Sequence, residues 1–592
     1  LRLFFSAATV AVGRPGPNWT PPQARAQDEQ KTDPRLEARF RSLAAEVDDA
    51  RIASVIKDLS SGAIGSRVIG YPGSKRASDY VQAQFRKCGL TDVTVAPFKT
   101  SVPMDRGASV KAGGKSIRLY SLWPNMVRTS QVGPEGVKGR VAYIGDASLK
   151  AMGGKQMAGS IVLAEFNCAY DWLNAVRSGA KAIIFLEPDT TLRGEADTKM
   201  MSIPVAVPRY WVSRADSAAL KAAEGTEVTI NCQMPWEKVT GRNILAKIPG
   251  SDPKLRDQIV ILSAYYDSTS IAPAIAPGAE SACGIAGLFE LARVFQKNPP
   301  KRTVWLLATD GHFQGLAGIR FWLDQSLDRF SQPGIGEKSS RWFASVPGRP
   351  APKRERDNIY LFCGLDLSSH SQGVGIFYKG YFFDFREDLK GRFSDLATVA
   401  RENAAAIAKA LGRDADQAFA DGVNDIAGKN WRNYIPGKIA FDAEAVSVGG
   451  GVGISFATIN DARSQVDTPF DTFEKTTPAN VGEQVRMIAC IIDRFLQDPT
   501  QTGRLSARTF PIREPNAFQR IGIQGGFATV SGQVVEYDPR KSFVPNQPVG
   551  DSIAIYRNGN KSFMGVRANL VEVTDGKGNF EFPGVAPVTA YG

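Results

Sequence analysis

Three apolar runs of this chain end in a carboxylate. QIVILSAYYD (258–267), RTVWLLATD (302–310) and NIYLFCGLD (358–366) close on Asp267, Asp310 and Asp366, and GISFATIND (453–461) has the same form. Near-continuous apolar runs of this length read as strands covered on both faces, as in a parallel sheet. Polar groups just beyond the carboxyl ends of such strands are where an open α/β sheet binds its ligands. The supply of imidazole sets a sharp bound. Only two histidines, His312 and His370, occur in 592 residues, too few for several histidine-rich zinc sites or imidazole-based catalytic centres.

The elements that must position these groups follow from periodicity. Residues 284–298 read as a helix with Ile285, Leu288, Phe289 and Ala292 on one face, and further helices are expected at 35–58, 394–411 and 476–497. A helix is also expected at 74–88, with Ser74 as N-cap and Gly89 as its stop. Between 140 and 235 strands and helices alternate in a compact unit: IVLAEF (161–166), a helix at 171–179, KAIIFLE (181–187) and a strand at 203–207. From 525 the texture changes to short strands with Asn/Asp-Gly turns, the pattern of an antiparallel β-sandwich.

Composition narrows the class. A length of 592 residues predicts two to four domains, and 43% hydrophobic with 22% charged residues describes a folded chain. The net charge of +12 is scattered, without a run of five basic residues, so a generally basic surface is expected and no nucleic-acid partner. LRLFFSAATVAVG followed by Ala24-Arg25-Ala26 reads as an export leader, giving a secreted, extracellular or periplasmic protein. No stretch approaches a membrane span. The six dispersed cysteines contain no CxxC pair; Cys168 and Cys232 either bridge or remain free buried thiols. Asn18 and Asn560 open glycosylation sequons.

Taken in order, SRVIGYPGSKRASDYV (66–81), AYYDS (264–268), PGAESACGIAGLFELAR (277–293), ATDGHFQGLAG (308–318), GLDLSS (364–369) and VDTPFDT (466–472) resemble the M28 zinc aminopeptidases. RSGAKAIIFLEP (177–188) and SIPVAV (202–207) resemble the protease-associated (PA) domain that commonly interrupts that fold. The resemblance implies an α/β fold with a mostly parallel, helix-covered central sheet, formed by 35–125 and 240–497. It further implies a PA-like domain at 126–239 and a C-terminal β-sandwich at 525–592 of the carboxypeptidase-regulatory kind, behind a signal peptide at 1–26.

The family's chemistry needs two zinc ions about 3.5–4 Å apart on a shared carboxylate. At the matching positions this chain departs repeatedly. The first histidine is Tyr265, the bridging aspartate is Glu280, and the paired glutamates are His312 (the base) and Phe313 (a ligand). The last histidine is Asp467, while Asp267 and Asp366 are kept. Phe313 has no donor atom and neutral tyrosine is a poor zinc ligand, so no zinc is expected. A carboxylate cluster of Glu280, Asp310, Asp366 and Asp467 would suit Ca²⁺ or Mg²⁺. Tyr265, Asp267, Phe313 and His370 are expected as cleft residues, with His370 otherwise a solvent-exposed loop residue. His312 serves either as a loop residue or as a base, and Cys283 either packs as a small residue or gains thiolate character at its helix start. The function expected is a pseudopeptidase kept for binding or assembly, with a peptide, protein or glycan ligand. The alternatives are an active hydrolase (peptidase) with an altered metal site or a His312-based mechanism, and a purely structural component.

Overall fold

The structure is a computed structural model that describes residues 33–327, 359–383, 390–391, 393–448, 451–502, 528–556 and 569–585. The expected leader and both sequons lie outside these residues. The apolar runs become the centre of an eight-stranded mixed sheet. Strands β10 (Ile259–Tyr265), β11 (Thr303–Thr309), β12 (Ile359–Asp366) and β15 (Gly453–Thr458) run parallel in the order β11-β10-β12-β15. Every residue of β10, β12 and β15 is buried, as strands covered on both faces require. The antiparallel pair β1 (Val93–Pro103) and β9 (Trp236–Ile248) extends the sheet beside β11. Beyond β15 lie β13 (Val374–Phe377) and β14 (Phe419–Asp421), β13 antiparallel to β15.

The helical layer contains α1 (Pro34–Glu46), α2 (Asp49–Leu59), α6 (Cys283–Lys297), α8 (Ser394–Ala410) and α10 (Pro478–Gln497), packed on one another around α10, while α7 (Ala317–Leu327) follows β11. The single helix expected at 35–58 is two, because Asp48 accepts hydrogen bonds from the Ala50 and Arg51 amides and caps a new start. Helix α3 (Pro72–Lys87) begins at its proline, so Ser74 is inside the helix and not its cap. Its hydroxyl instead donates to Asp310, 3.2 Å away. Gly284 lets α6 press on β12: a Cβ there would meet the Leu365 carbonyl at 2.7 Å.

Between β1 and β9 the chain forms a closed barrel, ordered β2 (Gly107–Ala112), β3 (Lys115–Ser121), β7 (Arg209–Val212), β6 (Ala182–Leu186), β5 (Ile161–Glu165), β4 (Val137–Tyr143) and β8 (Glu227–Gln233). Residues 107–121 therefore belong to the barrel, and not to the half-domain expected at 35–125. Pairing with β8 explains this, since β2 lies along it from Gly107 to Lys111. The expected strand at 203–207 is irregular backbone, and β7 begins at Arg209, where it can pair with β6. Helices α4 (Trp172–Arg177) and α5 (Arg193–Asp197) sit on the barrel. The C-terminal region pairs Ala528–Gln533 with Asn579–Val585 and Ile553–Tyr556 with Leu570–Val573, both antiparallel. It meets the main sheet where Ser101 of β1 donates to Glu572, 3.1 Å away. No described helix is long and apolar enough to cross a membrane.

Candidate functional site

The site is assembled from loops at the carboxyl ends of β10, β11, β12 and β15. At the end of β12, Asp366 is buried beside Arg463 from the loop after β15. The Arg463 guanidinium donates from Nη1 to Asp366 Oδ1 and from Nη2 to the Asp366 carbonyl at 2.7 Å. Burial works against this guanidinium, but Asp366 more than compensates, so Arg463 stays firmly charged. The Tyr265 hydroxyl donates to the same Oδ1 at 3.4 Å. Burial keeps that phenol neutral by pushing its pKa well above the usual tyrosine value. Arg463 and Asp467 both hold positive φ, 49° and 71°, a backbone that costs a non-glycine residue on the order of 1–2 kcal/mol. The loop is held in this shape by the ion pairs its side chains make.

His312 follows β11 and is 3% exposed. Its ring stacks on Tyr265 with centroids 3.9 Å apart, and Phe313 meets both rings edge-on. The Nδ1 atom is 2.8 Å from Asp442 Oδ1, at the start of α9 (Asp442–Val448), and Asp442 Oδ2 accepts from Thr309 at 2.7 Å. Burial pulls the His312 pKa down, but hydrogen bonding to Asp442 outweighs it and the net shift is upward. Asp267 does not reach the cleft; it accepts from the His312 and Phe313 amides at 3.1 and 3.3 Å and so shapes their turn. Burial lifts its carboxyl to about 6.

The expected carboxylate cluster does not form. Asp310 turns to Ser74 and to the Arg242 and Gly311 amides, and burial raises it to about 8. Asp467 accepts from Thr269 at 2.8 Å and lies 3.3 Å from the Arg193 Nε of α5. Glu280 accepts from the Ser369 hydroxyl and amide at 2.5 and 2.7 Å. Among the described residues, one group of three carboxylate or imidazole side chains comes close enough to share an ion: Glu280, His370 and Asp461. Its atoms are already committed. His370 Nε2 donates to the Lys475 carbonyl at 2.9 Å, and Nδ1 faces Glu280 at 3.1 Å and Asp461 at 3.8 Å. Carbonyl and carboxylate oxygens only accept, so both ring nitrogens carry protons and His370 is an imidazolium. It is not an ordinary exposed loop residue, although 37% of its side chain is accessible.

That assignment has a pH signature. Hydrogen bonds to Asp461 and Glu280 raise His370 to about 10, from an ordinary value near 6.5. Because the folded value is the higher one, its stabilisation is complete below about pH 6.5 and is lost as pH rises through about 10. Burial opposes the charge on Asp461, but hydrogen bonds from His370 and Ser368 prevail and lower its pKa. The stability gap between the protein and His370→Gln, followed by chemical denaturation from pH 6 to 10.5, should shrink as pH rises. A constant gap would show that the imidazolium is not held by these acids.

Cys283 opens α6, but burial and the charge of Glu280 push its thiol well up, so it is no thiolate. Cys168 and Cys232 are free and buried, and no disulfide joins them. The cleft itself is lined by Tyr265, Glu280, Ser281, His312, Phe313 and Arg463, together with Arg193, Lys438 and the apolar Ile439 and Val466. Asp442, Asp461, Arg463 and Arg193 escaped the sequence reading. Asp461 carried a signal, since it closes GISFATIND as the other acids close their strands. The others lie in segments without a chemical pattern, and only folding brings them in.

A sheet whose central strands are parallel, with charged groups gathered at their carboxyl ends, defines an α/β protein with a strand-end ligand cleft. Residues 243–489 match the model of peptidase family M28. Two curated relatives are each named a probable zinc metalloprotease. The chain is 41% identical over 98 residues to the one from Pyrenophora tritici-repentis (strain Pt-1C-BFP), 16% of this chain and 20% of the relative. It is 41% identical over 136 residues to the one from Pyrenophora teres f. teres (strain 0-1), 21% and 27%. The chain thus spans about a fifth to a quarter of the length of these relatives. Among solved structures, an aminopeptidase from Aneurinibacillus sp. strain AM-1 is 19% identical with a TM-score of 0.42, over 77% of this chain and 96% of that one. BSAP, a zinc aminopeptidase from Bacillus subtilis, is 16% identical with a TM-score of 0.47, over 79% and 99%.

Proposed function

We propose that this protein is a secreted pseudopeptidase, an M28 scaffold kept for binding or assembly without zinc aminopeptidase chemistry. The observation that carries the reading is the Arg463 guanidinium on Asp366. A cation bonded to that carboxylate competes with a metal for the same oxygen, and the neighbouring donor is a neutral phenol. Phe313 brings no donor atom, and Asp467 is engaged by Thr269 and Arg193. A dizinc centre does not fit these residues, and the Ca²⁺ or Mg²⁺ alternative loses its support with the dispersal of the four acids. In this reading the barrel is a PA-like module and the C-terminal strands belong to a β-sandwich, both serving attachment or recognition outside the cytoplasm.

Elemental analysis of the purified protein, with an assay on aminoacyl-anilides and short peptides, tests the proposal. The expected result is less than one zinc per chain and no turnover above buffer. Two zinc ions per chain, or turnover removed by a chelator, would overturn it.

A second reading has one observation in its favour. Asp442 orients His312 through Nδ1 as an acid orients a general base, and the buried Ser281 hydroxyl in the same cleft has no hydrogen-bond partner. A hydrolase of this kind would cleave without metal, and Ser281→Ala would abolish cleavage while leaving the melting temperature within a few degrees.

A further inference from the structure

The polarity of the cleft wall points to a ligand class. Four of its hydrogen-bonding side chains are donors, Arg193, Ser281, Lys438 and Arg463, and His312 joins them when its ring is protonated. Three of them hold buried donor atoms with no hydrogen-bond partner: Ser281 Oγ and Arg463 Nε, on residues only 3% and 5% exposed, and Arg193 Nε, which has the ion pair to Asp467. With Nδ1 of His312 committed to Asp442, only Nε2 remains to meet a ligand. Lys438 has no acidic partner among the described residues and is exposed at the rim. The one carboxylate in the wall, Glu280, is saturated by Ser369 and His370. Asp366 and Asp467 each hold an arginine, Asp442 holds His312, and none of the three takes a place in the wall. Phe313, Tyr265, Ile439 and Val466 supply an apolar surface between these donors.

An acceptor-only group satisfies such a wall, whereas an ammonium would meet donors and cations. We infer that the cleft binds an apolar group bearing a free carboxylate, such as the C-terminal residue of a peptide, with Lys438, Arg193 and Arg463 about the carboxylate and Phe313 and Ile439 about the side chain. This deepens the pseudopeptidase reading and rests on it. Arg193 comes from the barrel, so the inserted module contributes directly to recognition.

The test is titration calorimetry of the full chain with three probes: N-acetyl-L-leucine, N-acetyl-L-leucinamide and L-leucinamide. They separate the carboxylate from the side chain and from an amine. The free acid is expected to bind at least about tenfold tighter than either amide, a difference that one or two charge-assisted hydrogen bonds supply. Lys438→Gln, at an exposed side chain, should weaken the acid about tenfold and change the binding of the neutral N-acetyl-L-leucinamide far less. Equal binding of acid and amide, no binding of the acid up to 10 mM, or tighter binding of the amine overturns the inference. Those outcomes leave the pseudopeptidase reading intact, because that reading fails only on bound zinc or turnover, measured on the same preparation.

Discussion

Replacing Arg463 with alanine is expected to lower folding stability by about 3–5 kcal/mol, the range seen when one partner of a buried ion pair is removed. The pair is 6% and 5% exposed at its two side chains, so solvent does little to screen it. Without the guanidinium, Asp366 keeps a negative charge in a site where Oδ2 already lacks a hydrogen-bond partner and Oδ1 retains only the 3.4 Å contact from Tyr265. Lysine does not substitute, since one ammonium cannot span both the carboxylate and the Asp366 carbonyl as the two Nη atoms do. The double variant Arg463→Met/Asp366→Leu should recover most of the loss, because it removes both charges together. Urea denaturation at neutral pH is the measurement. A loss below about 1 kcal/mol for the alanine variant would mean that Asp366 is protonated or solvated, and the case against a metal at this position would fall with it.

An equally large effect is expected at Arg67, which touches no ligand. Its guanidinium is fully buried and donates to four backbone carbonyls: Tyr266 at 2.9 Å, Leu59 at 2.6 Å, Pro277 at 2.7 Å and Gly278 at 2.7 Å. Burial lowers its pKa to about 10, partly offset by the charges of Asp471 and Asp267, so it remains a cation at neutral pH. It ties α2 to the loop that runs from β10 to Glu280, and that loop carries the cleft's floor. Arg67→Met leaves several buried carbonyls without donors at about 1–3 kcal/mol each, less than additively. A loss above about 3 kcal/mol is expected, together with faster amide exchange over 266–280. Arg67→Lys should do little better, having fewer donors and no planar fork. A methionine variant within about 1 kcal/mol of the parent protein would show that water replaces the guanidinium, and the loop's rigidity would need another source.

How much of this was legible in the residues differs between fold and site. The four parallel strands were read to within three residues of their ends, because a doubly covered strand is apolar at most positions and needs no partner to be recognised. Helix α6 was visible for a similar reason, its apolar face repeating at helical spacing. The break between α1 and α2 was missed because Asp48 looks like any surface acid until its carboxylate is seen on the amides that follow. The edge of the barrel was misjudged because 107–121 carries an ordinary alternating pattern, equally at home in either sheet, and only pairing with β8 assigns it.

At the site, the sequence alone determined which side chains stand at the strand ends, among them Tyr265 and Phe313, and that Phe313 carries no donor atom. Those are statements about covalent identity, and folding cannot alter them. Tertiary structure decided where the remaining acids point and what neutralises them. Asp310 and Asp467 turned away from Asp366 to satisfy local donors, because a buried carboxylate needs hydrogen bonds or a counter-charge wherever they are nearest. Arg463, which lies 97 residues along the chain from Asp366, and Arg193, from a separate barrel, supply counter-charge at the same cleft. Proximity of this kind depends on how loops cross the sheet, and no spacing in the chain encodes it.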